Sequence, residues 1–204
     1  MTNINFAKKE INCKIVYYGC ALCGKTTNLQ YIHQHIATDN RSNMVSLNTK
    51  GDRTLFFDFL PLTTGTIEGF KTRFQLYTVP GQVVYNATRK LVLQGVDGIV
   101  FVGDSQISRL QMNKESFQNL KENLEEMHLR LENMPYILTY NKRDVDDIAP
   151  VPFLDYLLNR EKTRVPAIET IATTGYGVFK ALNTISKMVL VKLITELKEK
   201  KIQG

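Results

Sequence analysis

The chain has 204 residues, 43% of them apolar and 23% charged, and its 26 Lys and Arg against 20 Asp and Glu give a net charge of +6. That length suits one domain burying roughly 70% of its unfolded surface, and the composition excludes a disordered chain, a collagen-like chain and a disulfide scaffold. No run approaches the roughly 18 apolar residues of a membrane span, the first ten residues hold no signal-peptide core, and three cysteines fit a reducing cytoplasm.

No repeat, low-complexity tract or Pro/Gly/Ser linker divides the chain. The first apolar run, Ile15-Val16-Tyr17-Tyr18, predicts a strand ending at Gly19. Leu55 to Leu60 predicts a second, stopped by Pro61 and followed by a turn at Thr64-Gly65. Phe74 to Val79 predicts a third, ending at Pro80-Gly81 and near enough to the second for an antiparallel hairpin. Three uniformly apolar runs, Gly98–Val102, Tyr136–Tyr140 and Ala167–Ile171, read as strands covered on both faces. Between and after them, Phe117, Leu120, Leu124, Met127 and Leu131, then Leu182, Ile185, Val189 and Leu193, recur at helical spacing and face a core. The expected architecture is α/β: a six-stranded, mostly parallel sheet with one antiparallel edge strand and helices on both faces.

Directly after the first strand, Gly19-Cys20-Ala21-Leu22-Cys23-Gly24-Lys25-Thr26-Thr27 fits G-x-x-x-x-G-K-[ST], the phosphate-binding loop. Glycines let the backbone wrap so that successive N–H groups, from Ala21 through Leu22, Cys23 and Gly24 to Thr27, point at phosphate oxygens. Lys25 adds a point charge, the Thr26 hydroxyl can ligate Mg²⁺, and the start of the following helix favours an anion. Cys20 and Cys23 form a C-x-x-C, but zinc needs two further ligands; Cys13 lies in the first strand, and His33 and His35 project roughly 200° apart on a helix. Both cysteines read as small side chains at permissive loop positions.

About 115 residues downstream of Lys25, Asn141-Lys142-Arg143-Asp144 follows the fifth strand as N-K-x-D. An ionised Asp144 accepts from N1–H and the exocyclic amine of guanine, a pair of donors adenine lacks. Asn141 is expected on the other base edge, the stem of Lys142 over the ring, and a backbone N–H of Ala172-Thr173 on the guanine oxygen.

These residues resemble the small Ras-like GTPases, and more narrowly the bacterial MglA-type gliding-motility GTPases. The resemblance spans nearly the whole chain. It rests on the phosphate loop, Arg53-Thr54-Leu55-Phe56-Phe57-Asp58-Phe59-Leu60-Pro61, Gly69 to Phe74, Tyr77-Thr78-Val79-Pro80-Gly81-Gln82 and Asn141 to Asp144. It implies a P-loop small-GTPase fold, residues 1–204 forming a single G domain with short terminal extensions, that binds GTP or GDP with Mg²⁺ and hydrolyses GTP slowly. It further implies that Gln82 orients the attacking water, that Arg53 acts as an arginine finger in cis, and that Gly81 and Thr54 sense the third phosphate. Thr54 joins Thr26 on the metal.

Two positions depart from the Ras-like pattern. Thr78 stands where most such proteins carry an aspartate that holds the Mg²⁺ water shell, and Asp58 on the neighbouring strand is the residue expected to return a carboxylate. Ala21 stands where most have glycine; its Cβ faces the third phosphate and the glutamine, so a shift on the order of 1 Å there can cost about 10²-fold in rate.

Hydrolysis-driven switching is therefore weighed against a GTP-binding scaffold that barely turns over. A P-loop kinase would share the phosphate loop but not need N-K-x-D. The resemblance implies control of polarity or motility through a Roadblock-type, MglB-like activator and response-regulator-like effectors. The expected protein is cytoplasmic, recruited to a cell pole, monomeric on its own, without nucleic acid as partner. No prenylation box or myristoylation glycine is present, and Lys198, Lys200 and Lys201 read as a solvated helix end.

Overall fold

The computed structural model describes residues 3–5, 7–37, 40, 42–48, 54–67, 69–160 and 164–202. The strands are β1 (Asn3–Asn5), β2 (Glu10–Tyr18), β3 (Val45–Asn48), β4 (Thr54–Ile67), β5 (Phe70–Thr78), β6 (Gly98–Asp104), β7 (Tyr136–Asn141) and β8 (Ala167–Glu169). The helices are α1 (Lys25–His35), α2 (Asn86–Leu93), α3 (Leu110–Glu126), α4 (Val151–Leu158) and α5 (Val178–Ile202).

One sheet runs in the order β3-β4-β5-β2-β6-β7-β8, with β1 paired to β2. All six expected strands are in it, the centre is parallel, and β4 is antiparallel to β5. β1 and β3 extend it, both antiparallel to their neighbours; each is too short to carry a period in the sequence.

The strands of the centre are apolar on both faces because both are covered. Ile15, Tyr17, Val100 and Val102 pack with Leu29 and Ile32 of α1 and with Leu182, Ile185, Val189 and Leu193 of α5. Their neighbours Val16, Tyr18, Ile99 and Phe101 turn to the other side, against Val92 of α2, Phe117, Leu120 and Leu124 of α3, and Leu154 of α4. Met127 and Leu131 also reach this core, but from beyond the end of α3. No helix of the described residues is long and apolar enough to cross a membrane.

Pro61 does not stop β4, which runs on to Ile67. The Pro61 carbonyl accepts from the Ser42 N–H, 3.2 Å, on the side away from β5. A strand residue aims its N and O to the same side, so the missing N–H faces the edge, where the ladder does not need it. The expected turn at Thr64-Gly65 is instead an irregularity in the pairing between Thr63 and Thr66. The chain reverses at Gly69, whose φ of 82° suits glycine.

Candidate nucleotide site

Parallel strands all end on one side, so their C-terminal loops gather there. The loop after β2 is the phosphate loop. Gly24 caps α1 with φ 102° and no side-chain capping bond, and the first turn of α1 carries no acidic residue. That helix start is thus left to an anion from outside. A Cβ on Gly24 would fall 2.2 Å from Asn141 Nδ2, so glycine is required by closeness as well as by dihedral angle. Leu22 also has positive φ, 62°, an uncommon conformation for a branched residue; its side chain is exposed while Cys20 and Cys23 turn into the core.

Lys25 is buried and folded across its own loop, donating from Nζ to the carbonyls of Gly19 (3.1 Å) and Cys20 (2.7 Å) and to Cys23 Sγ (3.7 Å). Burial works against the Cys23 thiolate, yet the neighbouring Cys20 thiol and the Lys25 ammonium outweigh it and draw its pKa down. Cys20 moves the other way, pushed up by Cys23 and by its own burial, and its Sγ donates to Asn113 Oδ1 at 3.5 Å.

Thr26 donates from Oγ1 to Asp58 Oδ2 at 2.5 Å, and Thr78 donates to the same oxygen at 2.8 Å. The Asp58 N–H in turn donates to Thr78 Oγ1, 2.9 Å. A buried carboxylate therefore sits beside Thr26, reached from β4 where the Ras-like pattern expects it from β5. Hard oxygen donors of this kind suit Mg²⁺. A hydroxyl that gives its proton to Asp58 presents its lone pairs elsewhere, as a metal ligand must. Thr54 opens β4 opposite Asn48, and Arg53 lies outside the described residues.

Asn141 ends β7, and its amide bonds three groups of the protein. Its Nδ2 donates to the Cys23 carbonyl at 2.8 Å, and its Oδ1 accepts from the Ala172 N–H at 3.0 Å and from Thr170 Oγ1 at 3.1 Å. It is a tie between the phosphate loop, the base loop and the loop after β8. The Ala172 N–H is consequently engaged with Asn141 and not turned to a base, which leaves exposed Thr173 next to it. Lys142, at φ 64°, turns its ammonium back to buried Asp104 Oδ2, 2.7 Å. Arg143 faces the other way, onto Glu169 (2.9 Å) and the Ala149 carbonyl (2.8 Å). Asp144 is exposed and, among the described residues, its carboxylate has no hydrogen bond or ion pair.

Thr78 to Gln82 lead from β5 into a 3₁₀ turn, Val83–Tyr85. Gly81 lies hard against the phosphate loop: a Cβ there would fall 2.3 Å from Ala21 Cα. Gln82 follows it at the head of that turn.

Sequence reasoning missed Asp104, which anchors Lys142, and Asn113, which holds it. Asn113 accepts from the Asp104 N–H (3.0 Å) and donates to its carbonyl (2.7 Å). A signal existed: Asn113, Ser116, Asn119 and Asn123 recur at helical spacing beside the apolar stripe of α3, and all four are buried.

The Ras family model matches residues 14–191. The mutual gliding-motility protein MglA of Myxococcus xanthus (strain DK1622) is 54% identical over 193 residues, 95% of this chain and 98% of that protein. The Ras-related protein Rab-27B of Bos taurus is 24% identical over 186 residues, 88% and 80% of the two chains, and RABA4b of Arabidopsis thaliana is 26% identical over 179, or 86% and 71%. With its phosphate loop, T-V-P-G-Q segment and N-K-x-D loop on one end of one sheet, the chain belongs to the Ras family of GTPases and, within it, is of the MglA type.

Proposed function

We propose that the protein is a guanine-nucleotide switch that controls cell polarity or motility, cycling by slow hydrolysis of GTP at the site formed by the loops after β2, β5, β7 and β8. The observation that carries the reading is the bond of Asn141 to Cys23, which brings the base-reading loop and the phosphate loop into one unit. The likeness to a gliding-motility protein supplies the process.

In this reading, Ala21, Leu22, Cys23, Gly24 and Thr27 give backbone N–H groups to the phosphates, with Gly19 making the turn and Lys25 exchanging loop carbonyls for phosphate oxygens. Asp144 accepts from guanine, Lys142 covers the ring, and Thr173 takes the donor role expected of the Ala172-Thr173 pair. Thr26 and Thr54 hold Mg²⁺, with Asp58 fixing the Thr26 hydroxyl. The metal, when bound, neutralises charge on the phosphate oxygens. Gln82 orients a water that attacks the terminal phosphorus; the bond from that phosphorus to the bridging oxygen breaks, leaving GDP and phosphate. Arg53 stabilises the charge that builds on the oxygens. The segment around 80–89, with that around 49–58 of which residues 49–53 lie outside the described residues, is where partners would read the nucleotide: a Roadblock-type activator and response-regulator-like effectors at a cell pole.

Replacing Gln82 by Leu in cells tests the process. The reading expects the variant, held in the GTP form, to change polar localisation and motility; wild-type behaviour in both would overturn it. A second reading, a scaffold whose partners sense occupancy alone, is favoured by the packing of Gly81 on Ala21, which leaves the glutamine loop little room.

A further inference from the structure

Arg89 of α2 is fully buried. A buried cation ordinarily pairs with a carboxylate, yet among the described residues Arg89 touches neutral groups only. Nε donates to the Pro80 carbonyl at 2.8 Å and Nη2 to the Gly81 carbonyl at 2.6 Å. Nη1 donates to Asn119 Oδ1 at 2.6 Å and to the Tyr18 hydroxyl at 3.4 Å, and the guanidinium carbon lies 5.2 Å from the centroid of the Tyr18 ring.

The far side of this cluster is itself tied down. Asn119 Oδ1 also accepts from the Tyr18 hydroxyl (2.7 Å) and from Asn123 Nδ2 (3.2 Å). Both asparagines donate to Asn86 Oδ1, at 3.1 and 2.8 Å. The near side is the peptide between Pro80 and Gln82, which is pressed on its other flank against Ala21. The Pro80-Gly81 backbone is thus gripped between the phosphate loop and a buried planar fork.

Stability alone does not call for such an arrangement, because an apolar side chain of similar volume would fill the space without desolvating a charge. A guanidinium, unlike an ammonium, can address two backbone carbonyls and a side chain in one plane. We infer that Arg89 is a positioning residue for GTP hydrolysis, fixing the Pro80-Gly81 carbonyls so that Gly81 and Gln82 are held in register with the third phosphate, and transmitting the state of that loop to α3 through Asn119. The inference rests on the reading of Gln82 as the residue that orients water.

The test compares Arg89→Lys with wild type in single-turnover GTP hydrolysis and in separate affinities for GTP and GDP, each with Mg²⁺. Asn119→Ala is the second variant, should the lysine variant not fold, since it removes the far anchor and leaves every loop residue in place. Arg89→Lys is expected to slow hydrolysis by about 10- to 100-fold and to weaken GTP relative to GDP, with GDP affinity kept. Asn119→Ala should act in the same direction and less. A GTP-to-GDP affinity ratio equal to wild type, or GDP affinity falling as far as hydrolysis, would overturn the inference and make Arg89 a packing residue. Gln82→Leu, run alongside, separates the two readings: hydrolysis unchanged in that variant sinks the role of Gln82, while the affinity ratio, in which Gln82 takes no part, still judges Arg89.

Discussion

Replacing Asp58 by Asn should raise the Mg²⁺ concentration needed for tight nucleotide binding. Asp58 is buried, and a single carboxylate oxygen accepts from both Thr26 and Thr78. A hydrogen bond to a charged group contributes about 1.5–3 kcal/mol, against about 0.5–1.5 for a neutral pair. Asn keeps the volume and one accepting oxygen, so each of the two bonds weakens by about 1 kcal/mol and the Thr26 hydroxyl loses its fixed orientation. Only the Thr26 bond bears on a metal ligand, so at about 1.4 kcal/mol per decade its roughly 1 kcal/mol corresponds to about a 5-fold rise in half-saturating Mg²⁺. The assay is displacement of a fluorescent GDP across a series of free Mg²⁺ concentrations, with an EDTA arm. The rise should appear with affinity in EDTA unchanged. An identical Mg²⁺ dependence in the variant would refute the role given to Asp58, and an equal loss in EDTA would make it structural.

Asn141→Ala removes three buried hydrogen bonds. At about 1 kcal/mol each, with about 2–4 °C per kcal/mol for a chain of this size, melting should fall by about 6–12 °C, and GDP affinity should fall with it; an unchanged melting temperature by calorimetry would contradict the tie. Ala21→Gly removes the Cβ beside the glutamine loop, so intrinsic GTP hydrolysis should rise while GTP affinity stays; a constant rate shows that this methyl is harmless. The thiol of Cys23 is acidic but buried, as are Cys13 and Cys20. A chromogenic disulfide reagent should therefore react slowly with the native protein and titrate all three cysteines in denaturant. Rapid native reaction would show that the phosphate loop opens.

The fold and the placement of the main motifs were legible because each signal is local. A strand run, a glycine-lysine loop and a four-residue base motif carry their meaning over a few residues. What escaped depends on distant partners. Pro61 looks like a stop until the neighbouring chain shows which side of the strand needs an N–H. The further role of Asn141 as a tie depends on Cys23 and Ala172, which arrive from segments far along the sequence to bond its amide. The place of Arg89 has no local signal, since nothing near it in the sequence says that Asn119 will face it. Thr78 and Asp58 were legible as an exchange between neighbouring strands, because the hairpin pairs those strands. Of the cations behind the net charge of +6, Lys25 and Lys142 lie at the candidate nucleotide site, and Arg89 is buried behind it.

The central claim is that this site cleaves GTP and selects guanine. Its most direct test is single-turnover incubation of purified protein and Mg²⁺ with GTP or with ATP, the products separated by chromatography, beside the Gln82→Leu variant. Slow conversion of GTP to GDP, none of ATP, and loss of conversion in the variant with GTP still bound are the expected results. Bound GTP that stays intact in the wild type, or ATP cleaved as readily as GTP, would contradict the claim.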